Sequence, residues 1–206
     1  MEKTTLRGPV AIASLAVLAV FASPAKAASL PIIGNVTDVE VTADLAGLGL
    51  TAAPFGSGTA AGAIFTFDVT GGAVDSLTGN ALVEHAGSGV ALTAGTTSAF
   101  VGNFLIDTGA GTVSGDGAVL GGAGFLGATL FTFGDGDALP GVELLFSSTL
   151  AGVLSSVFGA PDLTGATFGY ARPDLAVVPI PAAGMLLLSA LTVLGVVRRR
   201  SLAANS

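Results

Sequence analysis

The sequence predicts a mainly β domain, a single sandwich or barrel-like unit with one short amphipathic helix near its end and a transmembrane helix beyond it. Three observations carry this. Short apolar runs recur between glycine-rich breaks, the pattern of small β-rich folds. One segment, 148–158, instead places its apolar residues at helical spacing. Finally, residues 182–197 carry no charge and run straight into Arg198, Arg199 and Arg200. The chain has 206 residues, of which 51% are hydrophobic and 10% charged. A soluble domain usually carries about 25% charged residues.

The elements follow in order. Residues 35–45 alternate, with Val36, Val39 and Val41 among Thr and acids. Residues 62–69 offer Ile64, Phe65, Phe67 and Val69. Residues 82–92 offer Leu82, Val83, Val90 and Leu92 around a turn-like Ala86-Gly87-Ser88-Gly89. The clearest hairpin sets 99–107 against 112–120. Its loop, Thr108-Gly109-Ala110-Gly111, holds the glycines that positive φ demands. Strands over 126–133 and 164–171 complete the set. In the helix, Leu150, Val153, Leu154, Val157 and Phe158 share a face. Ser147 or Ser148 caps its start, and Gly159-Ala160-Pro161 stops it. Phe65-Thr66-Phe67-Asp68 and Phe131-Thr132-Phe133-Gly134-Asp135 look alike. Two core strands with alternating Phe explain that better than duplication.

Both ends read as signals rather than as fold. Lys3 and Arg7 precede an apolar stretch over 9–22, too short to span a bilayer but suited to a secretory signal. Ala25 and Ala27 are the small residues a signal peptidase reads, with cleavage after Ala27. At the other end, 16 residues (182–197) make a helix about 24 Å long. Counting from Val177 gives 21 residues, enough to cross a core of about 30 Å if the flanks adapt. Pro181 suits the first turn. The positive-inside rule keeps Arg198, Arg199 and Arg200 cytoplasmic and the preceding domain outside. The expected division is a signal over 1–27, an acidic β-domain over 28–171 and a Pro-rich spacer with motif over 172–181. A transmembrane helix over 182–197 and a basic tail over 198–206 follow.

Charge is partitioned sharply. Of 14 acidic residues only Glu2 lies in the leader, and of 7 basic residues only Arg172 lies between the two ends. The intervening chain has no lysine. Its 13 acids against one base, a net of −12, exclude charge-driven binding to nucleic acid or an anionic membrane surface. The composition has no cysteine, which excludes disulfide staples and zinc ribbons.

Val178-Pro179-Ile180-Pro181-Ala182, an apolar helix and a triple arginine together resemble a bacterial PEP-CTERM-type sorting signal. The match is closest to the variant reading Val-Pro-Leu-Pro-Ala, with Ile180 in place of Leu. The resemblance covers roughly residues 177–201. It implies a Gram-negative host, processing at the inner membrane by an exosortase-type enzyme, and delivery to the cell surface or extracellular matrix. Exopolysaccharide is a further partner of such hosts. A eukaryotic GPI signal would end in its apolar stretch, whereas here the arginines follow it.

The inventory for chemistry is thin. His85 is the one histidine, and Glu84 beside it on a strand faces the other way. Nearby Ser88 forms no nucleophile elbow. Asp135 and Asp137, with Glu143, offer oxygen ligands for calcium, but the EF-hand order is absent. Glycosidase chemistry needs two carboxylates set across a cleft. Sugar clefts are often lined by Trp and Tyr. Here there is no Trp and one Tyr, Tyr170. The reading is therefore a non-enzymatic exported protein, structural, adhesive or biofilm-related, with no catalytic residues, cofactor or metal. The alternative is a secreted hydrolase, or a small-ligand or calcium-binding sandwich, that shares the tail. A deep pocket of converging polar groups would favour the alternative. A filled core under a plain acidic surface would favour the first.

Overall fold

The computed structural model describes residues 29–120, 122, 124–135 and 141–178. The signal residues Ala25 and Ala27, motif residues Pro179 to Ala182, the expected membrane helix, Arg198 to Arg200 and Asp137 lie outside them. Among the described residues no helix is long and apolar enough to cross a membrane.

The strands are β1 (Ser29–Pro31), β2 (Val36–Val41), β3 (Thr51–Gly56), β4 (Thr59–Ala61), β5 (Ile64–Asp68), β6 (Gly71–Asp75), β7 (Ala81–Ala94), β8 (Thr97–Asp107), β9 (Thr112–Val119), β10 (Gly124–Phe133), β11 (Val142–Phe146) and β12 (Thr167–Pro173). One helix, α1 (Ser148–Phe158), lies between β11 and β12. The strands form one sheet in the order β1-β6-β7-β8-β9-β10-β11-β12-β2-β5-β4, with β3 added against β7. All the pairings are antiparallel. The sheet rolls into a half-barrel. Of the two architectures expected, the barrel-like one holds; among the described residues there is no second sheet to make a sandwich.

The roll brings distant segments together. β1 pairs with β6 while β2, just after it, pairs with β12. Past β12 the chain stays bonded. Ile33 N–H donates to the Ala176 carbonyl at 2.8 Å and Val178 N–H to Pro31 at 3.1 Å. Arg172 and Pro173 belong to β12. An extended spacer was expected over 172–181; its described part, through Val178, is strand or bonded to residues 31–36, and Pro179 and Pro181 lie outside the described residues.

Curvature has a local cause. Between the pairs His85–Phe104 and Gly89–Gly102, β7 carries Ala86, Gly87 and Ser88 opposite Asn103. Between Gly102–Asp116 and Leu105–Ser114, β8 carries an extra residue, and β10 does the same between Phe125–Gly117 and Ala128–Gly115. Bulges bend strands and raise their twist. These bulges lie side by side. Their residues Gly87, Asn103 and Gly127 all have positive φ, at 78°, 50° and 57°. The turn expected over 86–89 is therefore a bulge inside one 14-residue strand.

Side chains replace the ladder bonds that the bulges interrupt. Gly87 N–H donates to Asn103 Oδ1 at 2.8 Å, and Asn103 Nδ2 donates to Asp116 Oδ2 at 3.0 Å. Gly127 N–H donates to Asp116 Oδ1 at 2.9 Å. Asn103 is the non-glycine member of the row because its amide is needed. Asn also tolerates the left-handed region better than most residues.

The concave side is packed. Leu130 and Val83 are wholly buried, and Phe131, Phe146 and Phe168 meet with centroids 4.7–6.0 Å apart. Phe65 and Phe67 of β5 and Phe131 of β10 are core residues, as the repeated Phe-Thr-Phe led us to expect. Helix α1 closes the sheet with Leu150, Ala151 and Leu154. Ser147 caps it, accepting from Leu150 N–H at 3.1 Å and donating to the Thr129 carbonyl of β10 at 2.7 Å. Gly159, at φ 70°, ends it in the left-handed cap. The hairpin β8–β9 is the one expected, and its turn is fixed by Asp107 Oδ1 accepting from Gly109 and Ala110.

Replacing Ser147 by Ala removes the cap and its tie to β10 together. The expected loss is about 1–2 kcal/mol in urea unfolding at an unchanged slope. Replacing Ser148 instead should leave the midpoint unmoved.

Candidate functional site

Two places collect polar groups, one inside the half-barrel and one outside. Inside, β7 points His85 inward and Glu84 outward, as strand alternation requires. His85 is 1% exposed and Thr37, on β2, is equally buried. Nδ1 lies 2.9 Å from the Asp68 carbonyl, which can only accept, so Nδ1 carries the proton. Nε2 then accepts from the Thr37 hydroxyl at 3.2 Å. Ser88 is also buried, and its hydroxyl donates to the His85 carbonyl within the bulge. Loss of solvation lowers the His85 pKa below its ordinary value, against an opposing pull from the Asp68 carbonyl.

The hydroxyl–imidazole–carbonyl chain has the order of a nucleophile, a base and an orienting group. Its surroundings are wrong for turnover. Phe67 and Phe104 pack beside it, and the remaining void is about 50 Å³ with an apolar lining. A single water needs ~10–15 Å³, so the space holds a few small molecules and no polymer segment. His85 ties β7 to β2 and to the end of β5 across the interior, in the place a core aliphatic residue would take.

Of the calcium ligands the alternative reading offered, Asp137 lies outside the described residues. Glu143 Oε1 accepts from the Thr167 hydroxyl at 2.8 Å, and no group of three or more potential ligands occurs among the described residues. Tyr170 lies on β12 between Glu40 of β2 and Glu143 of β11. Arg172 pairs with Glu40 at 2.5 Å and is the one Lys or Arg among the described residues.

Outside, over the row of bulges, Phe55, Phe100, Gly102, Asn103, Asp116 and Leu126 line an open groove of about 310 Å³. Phe55 and Phe100 meet edge to face at 5.8 Å and 89°. A Cβ on Gly102 would sit 2.8 Å from the Phe55 ring, so that ring lies directly on glycine backbone. Leu126 is 86% exposed, the largest value for a large apolar residue among those described. Hydrogen bonds from Asn103 and Gly127 hold the Asp116 carboxyl below the usual carboxylate range. Sequence reading missed this groove, because it is assembled from β3, β8, β9 and β10. The one trace it leaves is the unusual Gly102-Asn103 step inside an apolar strand.

No family model and no curated protein matches the chain. Among solved structures it is similar to the C-terminal domain of HtaA from Corynebacterium glutamicum. The TM-score is 0.50 at 12% identity, over 69% of this chain and 96% of that one. The likeness is one of fold.

Because burial depresses the His85 pKa, the unfolded chain binds its proton first as pH falls. Stability should be level above about pH 6.5 and decline below it, toward the lower folded pKa. His85→Gln should flatten that decline in urea midpoints taken between pH 7.5 and 5. Thr37→Val strands a buried acceptor and should cost about 1–3 kcal/mol at pH 7.5.

Proposed function

We propose that the chain is an exported surface or matrix protein of a Gram-negative bacterium, processed at its C-terminal sorting signal and acting without catalysis. The observation that carries this reading is the filled, apolar interior of the half-barrel. The groups best ordered for catalysis, Thr37 and His85, are sealed within it. Function is left to the outer surface, where Arg172 is the one base facing the acids among the described residues. Such a surface repels copies of itself and favours cationic partners.

The proposed route has four parts. A signal peptidase and the secretion machinery remove residues 1–27 after Ala27. The helix over 182–197 halts in the inner membrane, and Arg198, Arg199 and Arg200 keep the tail cytoplasmic. An exosortase-type enzyme then cuts near Val178 to Ala182. Because Val178 is bonded to Pro31, the first residue of that motif is itself tied to the domain.

Intact mass spectrometry on membrane and supernatant fractions, with and without the host exosortase, reads both cleavages. Loss of residues 1–27 in both strains, and of the C-terminal helix only where the enzyme is present, is the expected result. A full C-terminus in both strains would leave a plain single-span anchor and remove the sorting role.

A further inference from the structure

We infer that the outer groove over the bulges is an interaction site for an arginine side chain of a basic partner protein, with the guanidinium laid on the Phe55 ring and its N–H groups on Asp116. This rests on described residues alone and stands apart from how the chain is exported.

Four observations converge on it. The groove has an aromatic floor, since the Phe55 ring lies on the glycine backbone of β7 and β8, and Phe55 is 36% exposed. Phe100 stands at 89° to it as a wall, and Leu126 extends the apolar rim. The carboxylate in the groove is fixed in place, because Asn103 Nδ2 and Gly127 N–H each hold one oxygen of Asp116. Each oxygen keeps a further lone pair for an incoming donor. Lastly, Asn103 takes a left-handed φ of 50° that brings its amide onto Asp116, so the carboxylate is set by the bulge itself.

Charge selects the occupant. The one Arg among the described residues is occupied by Glu40, so no described Lys or Arg neutralises Asp116. A second copy of this acidic chain would be repelled. A planar guanidinium can stack on an aromatic face and still donate in its own plane to a carboxylate. An ammonium is a hydrated point charge and uses only the second contact. The groove, with floor and carboxylate on the same lining, suits the first.

The purified full chain is titrated by calorimetry, with amide chemical shifts followed by NMR, at low ionic strength. The probes are the capped pentapeptide Gly-Ser-Arg-Ser-Gly and its lysine and citrulline counterparts. The arginine peptide should bind and shift the amides of Gly102, Asn103 and Leu126. Citrulline should bind about tenfold more weakly or not at all, and lysine several-fold more weakly. Asp116→Asn and Phe55→Leu should each lower arginine affinity roughly fivefold or more. Phe55→Leu keeps apolar cover over the glycines and serves as the second variant should Asp116→Asn unfold. Equal binding of citrulline or of lysine overturns the assignment, as does shift spread evenly over all acids. Tighter binding of a glucosamine trisaccharide at the same amides would give the groove to an amino sugar instead.

Discussion

Curvature of a single sheet governs this molecule, and the curvature comes from bulges that fall in line across four neighbouring strands. A continuous ladder through β7, β8, β9 and β10 would twist but would not bend sharply. Here β7, β8 and β10 each gain residues at the same level, and Gly87, Asn103 and Gly127 turn left-handed there. The interrupted ladder would leave amides without partners. Asn103 and Asp116 supply those partners, so the bend is made of defined hydrogen bonds. Glycine is costly in strands because it loses the most backbone freedom. At these positions its positive φ offsets that cost.

The same bend gives the two surfaces different characters. On the inside it brings β2 opposite β7, so that Thr37 reaches His85, and aromatic side chains fill the space. On the outside it opens a groove in which Phe55, Phe100 and Leu126 are presented beside a carboxylate. The interior around His85 is apolar, and His85 itself is buried. A fixed acidic and aromatic exterior offers a partner a defined shape.

What could be read in the sequence follows the range of each signal. The β8–β9 hairpin and helix α1 were legible because their determinants are local: glycines in a four-residue turn, a serine cap, a glycine stop. Strands β1, β3, β4 and β6 were not. They are short and rich in Gly, Ala, Thr and Pro, and they are strands because β5, β6 and β7 supply their partners. The five residues of β11 carried an apolar pattern too short to separate from a loop. The stretch 86–89 looked like a turn because a bulge and a turn ask for the same residues. Similarly, Arg172 and Pro173 looked like the start of a spacer, although they belong to β12 and residues 174–178 are bonded to residues 31–36. His85 was rightly set apart from Glu84 by alternation, but its link to Thr37 depends on the roll of the sheet. The outer groove had no local signature at all.

Amide hydrogen exchange at Gly87 and Gly127 tests the role of the stitched bulges most directly. Both amides lie at exposed positions and bond only to side chains. They should exchange far more slowly than free amides in the native protein, and both should lose that protection together in Asn103→Ala. Exchange at the free rate in the unaltered chain, or protection that survives Asn103→Ala at both sites, would contradict the account.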